Sequence, residues 1–189
     1  MHIYFPKIFI FLDHYNSEVF KNKNKNIGIV YRNYKDRNRE KELIKIAKEC
    51  KKKRYLLFVS NDIKLFYKVK ADGIYIPSFN KSQRFSNLEN RRILILGSAH
   101  NQKEIHNKIT QNCKLIFLSP LFYVEKSKTY LNLYKFNNIA FRNKKNILAL
   151  GGITENNLHK LKLLHIEGFG GIRMFKKKPA ILKAGFYKE

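Results

Sequence analysis

Apolar runs that stop at small or polar residues mark places where a folded chain can expose chemistry, and this sequence has several. Arg32 ends the run 27–31, Ser60-Asn61-Asp62 ends 55–59, Gly97-Ser98-Ala99-His100 follows 93–96, and Gly151-Gly152 follows 146–150. A second pair, Gly170-Gly171, stands in the run 169–174 of a chain that has only nine glycines. An arginine fork bonds two phosphate oxygens at once, and serine and asparagine add neutral partners. Adjacent glycines let backbone N–H groups close on an anion, and Thr154 suits the cap of a helix whose start favours negative charge. These residue types point to a phosphorylated small molecule. Each also has a plainer use: paired glycines make tight turns, Asp62 caps a helix, and His100 is a hydrogen-bonded loop histidine.

The elements that must position these residues follow from periodicity. Near-continuous apolar runs at 7–12, 27–31, 55–59, 73–76, 93–96, 114–118, 146–150 and 169–174 read as strands buried on both faces. Helix-compatible stretches lie between most of them, at 39–53, 62–70, 101–112 and 154–165, with Leu43, Ile46 and Ala47 at helical spacing in the first. This alternation predicts an α/β fold of parallel strands, and about eight strands is where such a sheet closes into a (β/α)8 TIM barrel. An open doubly wound sheet is the rival, less suited to so many strands in so short a chain. The expected domain is a single compact barrel over 1–189 with a truncated final helix in "KKKPAILKAGFYKE" and a thin connection at 16–26. Barrels place their reactive groups at the C-terminal strand ends, often with a phosphate site after strands seven and eight. The two glycine pairs fall there.

Lys and Arg total 39 against 14 Asp and Glu, a net charge of +25. The lysines are scattered, with small clusters at 50–54 and 175–178, whereas a nucleic-acid footprint is a patch or stripe. The charge is therefore read as a solvated surface whose field also draws in phosphorylated ligands. Cys50 and Cys113 are far apart and make neither a disulfide framework nor a zinc signature. No His/Cys/carboxylate cluster is visible, and His106, His159 and His165 fall on expected helix faces. The N-terminal apolar stretch lacks the basic flank and cleavage site of a signal peptide, and no run approaches a membrane span. A soluble, cytoplasmic protein with no membrane partner is expected, with homo-oligomerisation left open.

Six short motifs add a resemblance. "SND" at 60–62, "ADGIYIP" at 71–77, "LGSAH" at 96–100, "FLSPLF" at 117–122, "ALGGI" at 149–153 and "GFGGI" at 168–172 resemble the thiamine phosphate synthase/TenI family in order and spacing. "VYRNY" at 30–34 is similar to its divergent alphaproteobacterial-type branch. The resemblance implies a barrel that joins hydroxymethylpyrimidine diphosphate to a thiazole phosphate with release of pyrophosphate, assisted by Mg2+. It implies that Arg32 contacts the diphosphate, that Asn61 and Asp62 form the family's Asn-Asp pair with Asp62 as the Mg2+ ligand, and that Ser98 binds diphosphate beside His100. Lys128 stands for the basic residue after the sixth strand, and Gly151-Gly152 with Gly170-Gly171 form the thiazole-phosphate site.

Two departures weaken that match. Val30-Tyr31-Arg32-Asn33-Tyr34 replaces the family's Gln-x-Arg-x-Lys, and Ser78-Phe79-Asn80 stands where a second metal-binding carboxylate is common. The alternatives are a TenI-like protein that holds a thiazole phosphate without the diphosphate chemistry, and a basic nucleic-acid binder, for which no recognised motif argues.

Overall fold

Along each strand successive side chains point to opposite faces, and here both faces are apolar. The computed structural model describes residues 5–22, 24, 26–91, 93–125, 127, 129–143, 146–172 and 174–175. Its strands are β1 (Ile8–Leu12), β2 (Ile27–Tyr31), β3 (Leu56–Ser60), β4 (Gly73–Ile76), β5 (Leu94–Ala99), β6 (Leu115–Leu118), β7 (Asn146–Leu150) and β8 (Gly168–Gly171). All pair in parallel in sequence order, and β8 returns to β1 through Ile8↔Phe169, Phe9↔Gly170 and Ile10↔Gly171, so the sheet is a closed barrel. This is the expected (β/α)8 architecture.

The connections are α1 (Arg39–Lys53), α2 (Ile63–Val69), α3 (Gln102–Thr110) and α4 (Asn132–Arg142), with 3-10 helices η1 (Ser17–Lys21), η2 (Gln83–Arg91) and η3 (Glu155–Leu163). The stretch 154–165 is thus a 3-10 rather than an α-helix, started by a reciprocal cap between Thr154 and Asn157. Segment 83–91 is helical although its polar composition gave no strong signal. The last strand stops at Gly171 rather than at 174, and the Phe175 ring packs where a Cβ on Gly171 would sit. The expected truncated final helix lies outside the described residues.

Alternation divides the core in two. Ile8, Ile10 and Leu12 face the helices, while Phe9 and Phe11 join Phe58, Tyr75, Leu96, Phe117 and Leu148 in the barrel interior. Phe117 contacts Phe9 and Phe11 edge-on, at 5.2 and 5.1 Å between ring centres. Such rings need small neighbours. A Cβ on Gly28 would lie 2.5 Å from the Phe9 ring, and one on Gly170 would lie 2.9 Å from Phe11. The aromatic floor therefore fixes the depth at which the strand ends open to solvent.

Candidate active site at the C-terminal barrel rim

Arg32 is the first residue beyond β2, and its backbone N–H donates to the Leu12 carbonyl at 2.8 Å. This bond carries the ladder one step past the strand and aims the side chain along the rim. Its guanidinium meets Asp13, the first residue beyond β1, with Nε to Oδ1 at 3.2 Å and Nη2 to Oδ2 at 3.5 Å. The pair is about a third exposed, which leaves the fork accessible to a ligand.

The β3 end is bound from both sides. Ser60 Oγ and the Tyr34 hydroxyl share a 2.7 Å hydrogen bond, and burial raises the tyrosine pKa. Asn61 takes a left-handed backbone conformation, φ 55°, which asparagine tolerates well. Its N–H donates to the Tyr75 carbonyl at 3.0 Å, and its side-chain carbonyl accepts from Asn80 Nδ2. Asp62 then caps α2: Oδ1 accepts the Leu65 N–H at 2.9 Å, while Oδ2 accepts from Arg39 Nη2 at 2.8 Å. Both carboxylate oxygens are therefore engaged. The capping use and the ion pair coexist on one side chain.

At β5 the Tyr75 hydroxyl donates to Ser98 Oγ at 2.8 Å, and burial pushes the phenol pKa up to about 12. Tyr75 thus stays a neutral donor at ordinary pH. His100 turns along the surface instead. Its Nδ1 lies 2.9 Å from Glu104 Oε2, which also accepts the His100 backbone N–H.

The two glycine pairs differ. Gly151 and Gly152 have positive φ, 92° and 70°. A Cβ on Gly152 would lie 2.6 Å from the Tyr123 carbonyl oxygen and 2.7 Å from Phe122 backbone. Only glycine meets both demands. The turn is sewn to the loop after β6 by Leu121 N–H to Leu150 O at 2.9 Å and Phe122 N–H to Gly151 O at 3.1 Å. Asn157 Nδ2 donates to the Gly152 carbonyl at 2.8 Å and fixes the start of η3. Gly170 and Gly171, by contrast, are the last two residues of β8, buried and paired with β1. They sit in the strand rather than in the loop beyond it.

The structure thus gives Arg32, Asn61, Asp62 and Ser98 each a polar partner at the strand ends, sets His100 in a separate surface pair, and puts Gly151-Gly152 in the turn after β7 and Gly170-Gly171 within β8. Lys128 lies outside the described residues. Sequence reading missed Asp13, Tyr34, Arg39, Tyr75 and Asn80. Asp13 follows β1 as Arg32 follows β2, a signal that was available; Arg39 reads as an ordinary first-turn helix residue. It also missed Lys108. That side chain is fully buried on α3, and its Nζ donates to the carbonyls of Pro77 and Asn80 at 2.8 and 2.7 Å and to Gln111 Oε1 at 2.8 Å. Burial lowers its pKa to about 8. The lysine braces the β4 loop from beneath, and so fixes Asn80 against Asn61.

Two guanidinium forks tethered by carboxylates, beside hydroxyl and amide donors, can hold a polyoxyanion. The buried thiols offer no nucleophile, since burial raises both, Cys113 to about 12.

Comparison with known proteins gives this rim a context. The chain is 28% identical over 130 residues to a thiamine-phosphate synthase of Prochlorococcus marinus subsp. pastoris, an alignment that takes in 67% of this chain and 37% of that protein. A second one, from Prochlorococcus marinus strain SARG, is 26% identical over 133 residues, with the same coverage. The chain spans little more than a third of the length of these curated relatives. In fold it is similar to the thiamine phosphate pyrophosphorylase of Pyrococcus furiosus, with a TM-score of 0.73 at 16% identity over 92% of this chain and 89% of that one. It is also similar to KGPDC of Streptococcus mutans, with a TM-score of 0.63 at 11% identity, covering 94% and 93%. These likenesses show the barrel. The family model described as thiamine monophosphate synthase matches residues 18–175, which include the ends of β2 to β8 and every rim residue described except Asp13. On that match, the chain belongs to the thiamine monophosphate synthase family.

Proposed function

We propose that the rim catalyses a thiamine phosphate synthase reaction, in which the C–O bond of a pyrimidine methyl diphosphate breaks, pyrophosphate leaves with the electron pair, and a thiazole phosphate nitrogen forms the new C–N bond. The observation that carries this reading is the Arg32–Asp13 fork beside the Ser60-Asn61-Asp62 corner, within the matched family span but for Asp13. No protein nucleophile is required. The work is to stabilise charge on the departing diphosphate.

Arg32 is assigned to the diphosphate as a catalytic residue, joined by Lys128. Asn61, Ser98 and His100 are assigned as further contacts to the phosphates. Tyr75 supports Ser98 by donating to its oxygen, so the serine hydroxyl proton is left to point at an acceptor. Gly151-Gly152, in a positive-φ turn at the rim, are assigned to the thiazole phosphate; Gly170-Gly171, buried in β8 against Phe11 and Phe175, are left with a packing role beside it.

The donor set fits a Mg2+ ion held mainly by substrate oxygens and water. Asp62 is the one carboxylate in "SND", its Oδ2 already shared with Arg39, and the β4 loop offers Asn80 instead of an acid. Such an ion would draw charge from the leaving diphosphate. Arg39 holds Asp62 in place and adds a second fork at the same corner. This reading has the protein act in the cytoplasm on phosphorylated small molecules. Among the described residues no helix is long and apolar enough to cross a membrane.

The test is direct: incubate the purified chain with the pyrimidine diphosphate, the thiazole phosphate and Mg2+, then assay thiamine phosphate. Product lost with EDTA and in Asp62→Ala supports the reading. The engagement of both Asp62 oxygens favours one alternative, a TenI-like barrel that holds thiazole phosphate without the diphosphate step. Tight thiazole phosphate binding indifferent to Mg2+, with no product, would establish that alternative.

A further inference from the structure

The sequence suggested no metal-ligating cluster, yet folding creates one. His14 lies two residues beyond β1, Asp36 in the loop after β2, and Glu42 in the first turn of α1. His14 Nδ1 stands 3.2 Å from Glu42 Oε2 and 3.8 Å from Asp36 Oδ2, and the three donor atoms lie within 4.8 Å of one another. His14 and Glu42 are 28 positions apart in sequence. Their meeting is a product of the barrel.

The partners of the two carboxylates are informative. In a chain with 39 Lys and Arg against 14 Asp and Glu, a part-buried carboxylate has many cations to choose from. Arg32, Arg39, Lys21, Lys52 and Lys68 each take an acidic partner, Asp13, Asp62, Glu18, Glu49 and Glu40. Among the described residues, Asp36 and Glu42 have no Lys or Arg at ion-pair distance and both turn to one imidazole nitrogen. Their side chains are only 34% and 28% exposed. The negative potential is felt nearby: Tyr31 is held well above the usual phenol range, chiefly by burial and then by Glu42 and Asp36.

The site is also held in shape. Asp36 Oδ1 accepts the Asn38 N–H at 2.7 Å, which leaves Oδ2 aimed at His14. The Tyr31 hydroxyl donates to the Arg39 carbonyl at 2.9 Å and ties the start of α1 to β2.

We propose that His14, Asp36 and Glu42 form a binding site for a first-row divalent transition-metal ion such as Zn2+ or Mn2+. One imidazole nitrogen and two carboxylate oxygens suit borderline cations better than Ca2+ or Mg2+, which prefer all-oxygen shells. Metal–donor bonds of about 2.0–2.2 Å need donors about 3–3.5 Å apart, close to the His14–Glu42 separation. Water completes the shell. The ion would brace the ends of β1 and α1 beside Asp13, the tether of Arg32. The proposal is independent of the synthase reading.

The experiment is calorimetric titration of the full chain, stripped with chelator and dialysed, with ZnCl2 and separately with MnCl2. One saturable Zn2+ per chain is expected, with affinity weakened about tenfold or more in His14→Ala and in Glu42→Gln. The control pair His106→Ala with His159→Ala should bind as the wild type does. The proposal is overturned if no saturable binding occurs, which would mean a hydrogen-bonded imidazole clamp alone. Binding that survives both His14→Ala and Glu42→Gln overturns it too, as does binding that vanishes in the His106/His159 control. Circular dichroism of each variant verifies the fold.

Discussion

The two halves of the rim are built in different ways. From β1 to β5 the strand ends meet through side chains: Asp13 with Arg32, Tyr34 with Ser60, Asn80 with Asn61, Arg39 with Asp62, Tyr75 with Ser98. From β6 to β8 they meet through backbone, with Gly151 and Gly152 pressed onto the loop after β6 and Gly170 onto the aromatic floor. The first half can change its ligand by changing charges. The second works by close fit, so it tolerates no added carbon at Gly152.

The sharpest way to break this comparison is at Arg32. If the side-chain half carries the leaving-group charge, Arg32→Ala should cut pyrophosphate release by about 10²–10³-fold, the scale of losing one transition-state donor. Melting temperature should hardly move, because partly exposed ion pairs contribute little stability. An Arg32→Ala protein with full activity would remove the assigned role.

Gly152→Ala should show the reverse pattern. The new Cβ would meet backbone at 2.6 to 2.7 Å and impose a strained φ of 70°. The expected destabilisation is on the order of 1–3 kcal/mol, a melting point several degrees lower. Calorimetry reads it without any substrate. If this variant melts like the wild type, the backbone half is not the tight fit described.

Much of the scaffold was legible because buried parallel strands write themselves as apolar runs, and all eight of these became strands within a few residues. Segment 83–91 was hidden by its polar composition, and 154–165 carries a helical pattern that folds as 3-10 instead. At the site, residues at strand ends could be named, since position alone finds Arg32, Asn61, Asp62 and Ser98. Their partners could not. Asp62 meets Arg39 across 23 positions, Lys108 meets Pro77 across 31, and His14 meets Glu42 across 28. Such pairs exist only once the barrel has closed.

Lys108 joins the two halves of the argument, since a side chain there holds a backbone loop. Lys108→Met would leave the Gln111 oxygen without its donor and take one of two donors from the carbonyls of Pro77 and Asn80, which keep the Asn80 N–H and Gln111 Nε2, at a cost of roughly 1–3 kcal/mol for the buried oxygen left unpaired. It should also erase a pH dependence. The fold lowers this pKa from 10.5 to about 8, so between those values the unfolded chain binds the proton more tightly. Its contribution therefore makes the wild type gain stability as pH rises from about 8 to about 10.5, and below that window the burial penalty is constant. Denaturation of wild type and Lys108→Met in parallel at the two ends of the window cancels the titration of other groups. An unchanged difference would mean that Lys108 stays charged throughout, held by its three acceptors.

The smallest effect is expected at Asp13, and it tests whether the side-chain half is adjustable. Asp13→Asn keeps the shape and one acceptor for Arg32 but removes the charge that competes with a ligand phosphate. Stability should change by no more than about 1 kcal/mol, as for other part-exposed ion pairs. Two results are then separable in steady-state kinetics. If Asp13 acts by orienting the fork, turnover falls a few-fold while the KM for the diphosphate stays put, because a loosened guanidinium loses alignment in the transition state. If it acts as a counter-charge, KM drops instead, since a freed arginine binds phosphate more strongly at the start. The 3.2 Å contact at Nε and the longer 3.5 Å one at Nη2 leave the outer edge of the fork less committed, so orientation is the expected outcome.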